Sequence, residues 1–297
     1  MLRIIADSTC DISKEDARKM GIQIVPISVR FGDEEFLDGV EITHEEFYTR
    51  LAECDELPKT SQPSPDTFMK VFNEAVAAGD DVLGIFISSD LSGTYQSACL
   101  AALDVEEETR KKLYMVDSRS ASIGTALLIR EAVKLRDAGV NVSDIAAACT
   151  GMSKYIKLTA VVGSLKYLKM GGRLSGAAAF AGTMLHITPV VSIEDGKVVV
   201  IGKTRGKKAA EKLMHDKLIK DGLSLTRDFM FGHINCSESL ETFINKSLTY
   251  ISDVNGNVGV SSIGCSVGTH VGPGTYGIAY VEAAESGMNR ESIVKTA

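Results

Sequence analysis

The chain has 297 residues, of which 44% are hydrophobic and 24% charged, and its formal net charge is −7. This composition is typical of a folded protein with a core, and it excludes a disordered or collagen-like chain. The acidic balance argues against general nucleic-acid binding, and no apolar run approaches the roughly 18 residues that a membrane span needs.

The first half of the chain alternates short apolar strands with amphipathic helices. Strands are predicted at 2–6, 22–31, 81–87 and 113–116, and helices from Ser13, from Thr43, and at 66–78, 92–103 and 119–138. Such alternation predicts a parallel sheet with helices on both faces. Ligands bind beyond the carboxyl ends of parallel strands. Polar residues follow three of the predicted strands there: Asp7-Ser8-Thr9, Ser88-Ser89 and Asp117-Ser118.

The second half has a different pattern, with a hairpin and two separating helices. Strands are predicted at 158–163, 188–193, 197–201, 228–234, 258–263 and 277–282, with a turn at Glu194-Asp195-Gly196 and helices at 206–220 and 238–252. This mixture predicts an α+β domain with a mixed sheet. The fold class is therefore α/β with two domains, an N-terminal α/β domain over 1–155 and a C-terminal α+β domain over 156–297. No Pro/Gly/Ser-rich linker separates them, so we expect tight coupling.

The cysteines are scattered and form no CxxC pair; they are Cys10, Cys54, Cys99, Cys149, Cys236 and Cys265. This spacing indicates neither a zinc site nor a redox motif, so the sequence predicts no metal and no cofactor. Charge interrupts the first residues too early for a secretory signal. The simplest interpretation is a cytoplasmic protein with reduced thiols.

Charge is distributed unevenly. Residues 151–222 hold 13 Lys or Arg against 5 Asp or Glu. This excess is compatible with a solvated helix face, and equally with a docking surface for an anionic ligand or an acidic partner.

Three familiar motifs fail on their context. Residues 272–277 match GxGxxG, but a predicted strand follows where a dinucleotide site needs a helix. Residues 264–268 match GxSxG. A nucleophile elbow requires a helix after its serine, but the glycine-rich stretch that follows here is predicted not to be helical. Gly202-Lys203-Thr204 resembles a phosphate loop, but Lys197 stands where the first glycine belongs.

Three polar clusters remain as candidate sites. In Thr60-Ser61-Gln62-Pro63-Ser64-Pro65, Ser64 and Pro65 suit a helix start, which leaves Thr60 and Ser61 unexplained. The stretch 88–95 follows a strand and opens a helix, and one serine would suffice as its cap, so the surplus hydroxyls favour an anionic ligand. The third cluster, 269–274, places His270 among glycines that would let a ligand approach the backbone.

Two basic elements accompany these clusters. Arg173 follows the pair Gly171-Gly172, and Arg205 follows a predicted strand. Arginine suits bidentate contacts with carboxylate or phosphate, although either residue could be an ordinary surface charge.

Taken in order, these segments resemble the DegV family. The resemblance rests on Asp7-Ser8-Thr9-Cys10-Asp11, Thr60-Ser61-Gln62-Pro63-Ser64, the stretch 88–95, Asp117-Ser118, Gly171-Gly172-Arg173-Leu174-Ser175 and His270-Val271-Gly272-Pro273-Gly274. No single segment is specific, but the ordered set covers nearly the whole chain.

The resemblance implies a carrier rather than an enzyme. It would bind one long-chain fatty acid, of the palmitate or oleate class, with the acyl chain buried in the second domain. The ligand-binding residues would be Thr60, Ser61, Ser92, Gly93, Thr94 and His270. The bound carboxylate would be presented to a fatty-acid kinase, with Arg173 and Arg205 serving that step or docking, and no stable membrane insertion is expected. The apolar segment 177–191 is a candidate wall of the pocket.

Two other classes of function stay open on the residues alone. Ser92, His270 and Asp117 or Asp7 could form a hydrolase triad across the cleft, because triads are recognised by geometry and not by sequence position. A phosphate- or sugar-binding module would use the same hydroxyls without an acyl pocket.

Overall fold

A computed structural model describes residues 1–176, 187–224, 227–251 and 256–283. The strands are β1 (Leu2–Asp7), β2 (Ile22–Val25), β3 (Ser28–Phe31), β4 (Glu34–Leu37), β5 (Lys59–Ser61), β6 (Asp81–Phe86), β7 (Tyr114–Asp117), β8 (Ile156–Val161), β9 (Thr188–Glu194), β10 (Lys197–Thr204), β11 (Phe229–His233), β12 (Val258–Ser262) and β13 (Tyr276–Val281). The helices are α1 (Lys14–Met20), α2 (His44–Glu53), α3 (Pro65–Ala77), α4 (Thr94–Thr109), α5 (Ile123–Asp137), α6 (Val142–Met152), α7 (Lys166–Met170), α8 (Lys207–Asp221), α9 (Ser237–Tyr250) and α10 (Cys265–Val271), with a 3₁₀ turn at Ser8–Cys10.

Four strands of the first half form an entirely parallel sheet, in the order β2-β1-β6-β7. Helix caps near this sheet follow the sequence signals: the Ser13 and Ser64 side chains cap α1 and α3, and Thr43 and Glu46 form a reciprocal capping box at α2. The α/β class predicted for this half is confirmed.

The second half builds a six-stranded mixed sheet, in the order β10-β9-β8-β13-β11-β12. All pairs are antiparallel except β11 with β12. The predicted hairpin joins β9 to β10, and its turn residues Asp195 and Gly196 both have positive φ angles, of 49° and 80°. Two positive φ values in a row are typical of tight hairpin turns.

One predicted strand was wrong in detail, and one helix was not predicted. The single strand expected over 22–31 is two strands in two sheets, because Pro26 follows β2, and β3 instead pairs with β4 and β5 in a small antiparallel sheet. Helix α6 was also missed, although the Asn141 side chain accepts a hydrogen bond from the Asp144 N–H as its N-cap.

The stretch after Gly264 is helical, contrary to expectation. The N–H groups of Cys265 and Ser266 donate to the Asp38 carboxylate, at 3.2 and 3.1 Å. Gly268 is required here because a Cβ atom would lie 2.2 Å from the hydroxyl of Tyr48. Tertiary contacts therefore outweigh the weak helix propensity of Gly268 and the glycines that flank α10.

Helix α5 packs against both large sheets. Its residues Leu128 and Ile129 lie in the core beside the parallel sheet, whereas Ile123 and Ala126 contact Met230 and Ala279 of the mixed sheet. The chain changes from one sheet to the other between β7 and β8. The division into domains at 155/156 stays a prediction.

Among residues 1–176, 187–224, 227–251 and 256–283, no helix is both long and apolar enough to cross a membrane.

We expect Leu128→Ala to lower the free energy of unfolding by about 2–5 kcal/mol, because it leaves a cavity around a fully buried side chain. Leu103→Ala is the matched control, since Leu103 is 62% exposed on α4 and should change stability by less than about 0.5 kcal/mol. Denaturant unfolding followed by circular dichroism measures both. Equal losses would contradict the assignment of α5 to the core.

Candidate functional site

A cavity lies between the carboxyl edge of the parallel sheet and one face of the mixed sheet. It contains about 930 Å³ of atom-free space, counting the part continuous with solvent. Alternate residues of neighbouring strands supply its apolar wall, because side chains at every second position share one face of a sheet. These strand residues are Leu158, Ala160, Val191, Ile193 and Val198.

Loop and helix residues close the rest of the cavity with further apolar groups. Ile87 follows β6, and Leu168 comes from α7. Ile263, Val267 and Val271 extend the apolar lining before and along α10. The cavity is therefore suited to a long hydrocarbon group.

A polar cluster in the lining is made of Thr60, Ser92, Arg173 and His270. The Thr60 hydroxyl lies 2.9 Å from His270 Nε2. Arg173 Nε donates to the carbonyl of Leu91 at 3.1 Å, which places the guanidinium beside the residue that precedes Ser92. This arrangement brings together residues from β5, the loop after β6, the loop after α7, and α10.

Burial, with a smaller contribution from the positive charge of Arg173, lowers the pKa of His270 to about 4. The imidazole is therefore neutral at neutral pH. Its Nδ1 atom is buried without a hydrogen-bond partner, and so is the hydroxyl of Ser266. Because buried polar atoms are nearly always satisfied, two unpaired ones in a cavity lining indicate a place for a ligand or for water.

Two glycines make this packing possible. A Cβ atom on Gly171 would lie 2.3 Å from His270 Nδ1, and one on Gly93 would lie 2.1 Å from the side-chain oxygen of Gln62. Gly171 therefore leaves room for the imidazole ring. Gly93 lets the loop after β6 approach the segment that carries Thr60.

The other predicted site residues lie outside the cavity lining. Ser61 is exposed, because successive residues of β5 point to opposite sides. Thr94 is fully buried and bonds to the Ser92 hydroxyl at 2.9 Å, while Gly93 is the N-cap residue of α4. Arg205 is exposed just beyond β10. Of the candidate wall 177–191, residues 177–186 lie outside the described residues, and Val191 lines the cavity.

Sequence reasoning missed Ser122 and Ser266 as lining residues. Ser266 stands in the GxSxG match, which was examined only as a possible nucleophile elbow. Once the stretch is recognised as helical, Ser266 and His270 are four residues apart and share one helix face. That spacing is the signal that could have identified Ser266.

The hydrolase alternative is not supported by this geometry. His270 Nε2 pairs with Thr60, and its Nδ1 has no carboxylate partner. Asp7 accepts hydrogen bonds from the N–H groups of Thr9 and Ile87, at 2.9 and 3.0 Å, and does not orient a histidine. The Asp117 carboxylate likewise bonds to backbone N–H groups, including that of Arg119 at 2.8 Å.

Among the residues that the structure describes, one group of side chains could hold a metal ion. Asp38, His44 and Cys265 offer a carboxylate oxygen, a ring nitrogen and a sulfur, all within 4.8 Å of one another. None of the three lines the apolar cavity.

Comparison with known proteins gives consistent results. A family model described as an uncharacterised protein of the DegV family matches residues 1–283. DegV domain-containing proteins of Clostridium perfringens and Clostridium acetobutylicum are 34% and 35% identical to this chain. The matches cover 95% and 94% of the chain and 98% and 97% of those proteins.

Solved structures share the fold. A DegV family protein from Thermus thermophilus, described for its fatty-acid binding, has a TM-score of 0.84 at 31% identity, covering 95% of this chain and 100% of that one. A stearic-acid-binding protein from Eubacterium ventriosum also has a TM-score of 0.84, at 29% identity, covering 96% and 100%. DegV of Bacillus subtilis, described as a fatty acid binding protein, has a TM-score of 0.82 at 27% identity, covering 95% and 99%.

We expect the His270 imidazole to stay neutral down to about pH 4, because desolvation disfavours its charged form. Since its folded pKa lies below the ordinary value of 6.5, its contribution to stability is complete above that value. That contribution is lost as the pH falls from 6.5 towards 4. NMR titration of labelled histidine rings measures the pKa directly.

Arg173→Gln should raise the pKa of His270 by removing a neighbouring positive charge, whereas Arg205→Gln, at an exposed arginine outside the cavity, should leave it unchanged. A His270 that titrates near 6.5 in the unsubstituted protein would contradict its burial.

Proposed function

This chain belongs to the DegV family, and we propose that it binds one long-chain fatty acid in the cavity between its two larger sheets. The acyl chain would lie along the apolar wall, with the carboxylate at the cluster of Thr60, Ser92 and His270. The observation that carries this proposal is the combination of an apolar lining with buried, unpaired polar atoms of His270 and Ser266.

Hydrophobic burial supplies the main driving force for such binding. About fifteen methylene and methyl groups, at about 0.8 kcal/mol each, favour transfer from water by roughly 12 kcal/mol before losses. Ordering of the chain and loss of overall freedom reduce this gross value. Fatty-acid binding therefore depends mainly on the apolar wall of the cavity, against which the hydrocarbon chain is removed from water.

The polar cluster suits a carboxylate held without a tight ion pair. Thr60 and His270 bond to each other and together offer one donor: the Thr60 hydroxyl if Nε2–H donates to it, or Nδ1–H of the neutral ring if Thr60 donates to Nε2. The Ser92 hydroxyl, which lies 2.9 Å from that of Thr94, adds a second polar group. The nearest cation, Arg173, is engaged by the carbonyls of Leu91 and Gly171 at 3.1 and 2.6 Å. A carboxylate bound in this way keeps its nucleophilic oxygen lone pairs.

The ligand class that we propose is palmitate or oleate, acids of about the length of the stearic acid bound by the Eubacterium ventriosum relative. Further support comes from the fatty-acid-binding relatives of Thermus thermophilus and Bacillus subtilis. The carrier itself would perform no chemistry on the acid.

We also propose that the bound acid is presented to a fatty-acid kinase. A carboxylate oxygen would attack the terminal phosphorus of a nucleoside triphosphate. This step forms an acyl phosphate and releases the nucleoside diphosphate. Arg173 lies at the polar cluster, and the exposed Arg205 belongs to the basic region 151–222 and could meet an acidic partner. This role would place the protein in the cytoplasm, as its unpaired cysteines also suggest.

Native mass spectrometry of the freshly purified protein, followed by lipid extraction, tests the binding proposal. We expect one adduct of fatty-acid mass per chain. A ligand-free mass, with no uptake of added palmitate or oleate, would overturn it.

Thr60→Val should weaken palmitate binding about 10- to 100-fold, because a hydrogen bond to a charged group contributes about 1.5–3 kcal/mol. Ser61→Ala is the matched control on the same strand, since its side chain is exposed and lies outside the cavity. Titration with a fluorescent fatty acid and competition by palmitate give both affinities. Equal weakening by the two substitutions would place the carboxylate elsewhere.

Arg205→Ala should leave palmitate affinity unchanged and slow acyl-phosphate formation when the loaded protein is mixed with a bacterial fatty-acid kinase and ATP. Arg18→Ala, another exposed arginine on the opposite half of the chain, is the control and should not slow it. Hydroxylamine trapping of the acyl phosphate measures the rate. Normal rates in Arg205→Ala would remove this residue from the proposal.

A further inference from the structure

A second cluster of chemically active side chains lies where the first turn of α10 meets the segment before α2. Asp38 is buried just after β4, His44 is the first residue of α2, and Cys265 is the first residue of α10. Their candidate ligand atoms all lie within 4.8 Å of one another. They come from three separate parts of the chain, and none of them lines the proposed fatty-acid cavity.

The carboxyl groups at this cluster are held by backbone and hydroxyl donors. The Asp38 carboxylate accepts hydrogen bonds from the Cys265 and Ser266 N–H groups and from the Ser8 hydroxyl, at 3.1–3.2 Å. The neighbouring Asp11 carboxylate accepts one from the Gly264 N–H at 2.9 Å. Within the described parts of the chain, no ion pair joins Asp11 or Asp38 to a basic side chain. Buried carboxylates are usually paired or coordinate a metal.

Gly264 lets the backbone before α10 approach these polar side chains closely. A Cβ atom at this position would lie 3.0 Å from His44 Nε2, 3.1 Å from an oxygen of Asp11 and 3.5 Å from an oxygen of Asp38. The absence of a side chain at Gly264 therefore allows two of the three candidate ligands, His44 and Asp38, to lie beside the residue that precedes Cys265.

The cluster is also accessible. Asp38 and His44 line a groove on the surface together with Asp11, Val40 and Val260. His44 is half-buried, whereas Cys265 is fully buried behind it. An ion would enter from the groove past the imidazole and reach the sulfur last.

We propose that Asp38, His44 and Cys265 bind one divalent transition-metal ion of zinc-like ligand preference. Thiolate, imidazole and carboxylate together are a typical ligand set for Zn²⁺, with bonds of about 2.0–2.3 Å. In a tetrahedral site such ligand atoms lie about 3.5 Å apart. The distances between the candidate ligand atoms, now up to 4.8 Å, would therefore shorten by about 1 Å when the ion binds. Cys265 gives up its thiol proton to solvent on binding, and the groove leaves the fourth position to water.

This site would join the two halves of the chain. Asp38 and His44 precede the change of sheet, and Cys265 belongs to α10, which also carries Ser266 and His270. Bound metal would therefore stabilise the folded state, because it binds the folded arrangement and not the separated ligands.

Cobalt(II) titration of the full, reduced chain tests the proposal, with Zn²⁺ as competitor. We expect one Co²⁺ per chain, a thiolate-to-cobalt charge-transfer band, and loss of that band when one equivalent of Zn²⁺ is added. Cys265→Ser should abolish the band. His44→Gln should weaken binding by at least the roughly 10- to 100-fold that loss of an outer-shell group costs.

Two controls separate this site from chance binding by other thiols. Cys54→Ser and Cys236→Ser alter half-buried cysteines outside the cluster and should keep the band. If Cys265→Ser does not fold, His44→Gln tests the metal site in its place. His44 is only half-buried at the first turn of a helix, so this variant is expected to fold. Zn²⁺ should raise the melting temperature of the unsubstituted protein and not of His44→Gln.

Three results would overturn the proposal. The first is sub-stoichiometric cobalt binding by the unsubstituted chain. The second is a charge-transfer band that survives in Cys265→Ser, and the third is unchanged affinity in His44→Gln. None of these depends on the bound lipid, so the metal site can fail while fatty-acid binding stands, and the converse also holds.

Discussion

Two buried carboxylates hold the start of α10, and the arrangement of the cavity depends on them. Asp38 accepts hydrogen bonds from the N–H groups of Cys265 and Ser266, and Asp11 accepts one from that of Gly264. Asp11 also accepts a hydrogen bond from the Ser122 hydroxyl at the start of α5. Burial raises the pKa of Asp11, and the hydrogen bonds from Ser122 and Gly264 partly offset this rise. The first half of the chain thus determines where a helix of the second half begins.

The position of α10 then determines the polar part of the cavity. Ser266 and His270 lie one turn apart on a face that meets the lining, and Val267 and Val271 continue that face with apolar groups. Because the helix start is held, the His270 ring reaches the Thr60 hydroxyl across the junction of the two halves. The space between Gly171 and this ring is too small for a side chain.

The electrostatics of the cavity follow from its mostly apolar lining. Desolvation keeps His270 neutral, and Arg173, the one cation among the lining residues that the structure describes, is already bonded to backbone carbonyls. An anion here would meet dipoles rather than a compensating charge, in surroundings where a hydrogen bond is stronger than in water. Such a site selects for a ligand that is mostly apolar, because burial of its hydrocarbon must offset the desolvation of its charged end.

Local sequence patterns determined most element types of the parallel sheet and the caps at Ser13, Thr43 and Ser64, because those features depend on side chains close in sequence. They also identified Thr60, Ser92, Arg173 and His270 as candidates that the fold brings to one cavity. They could not identify α10 as a helix, nor Ser266 as a lining residue. The interactions that decide both come from Asp38 and Tyr48, more than 200 positions away along the chain. The grouping of Asp38, His44 and Cys265 has the same origin, since no spacing in the sequence relates residues that only the tertiary fold brings together.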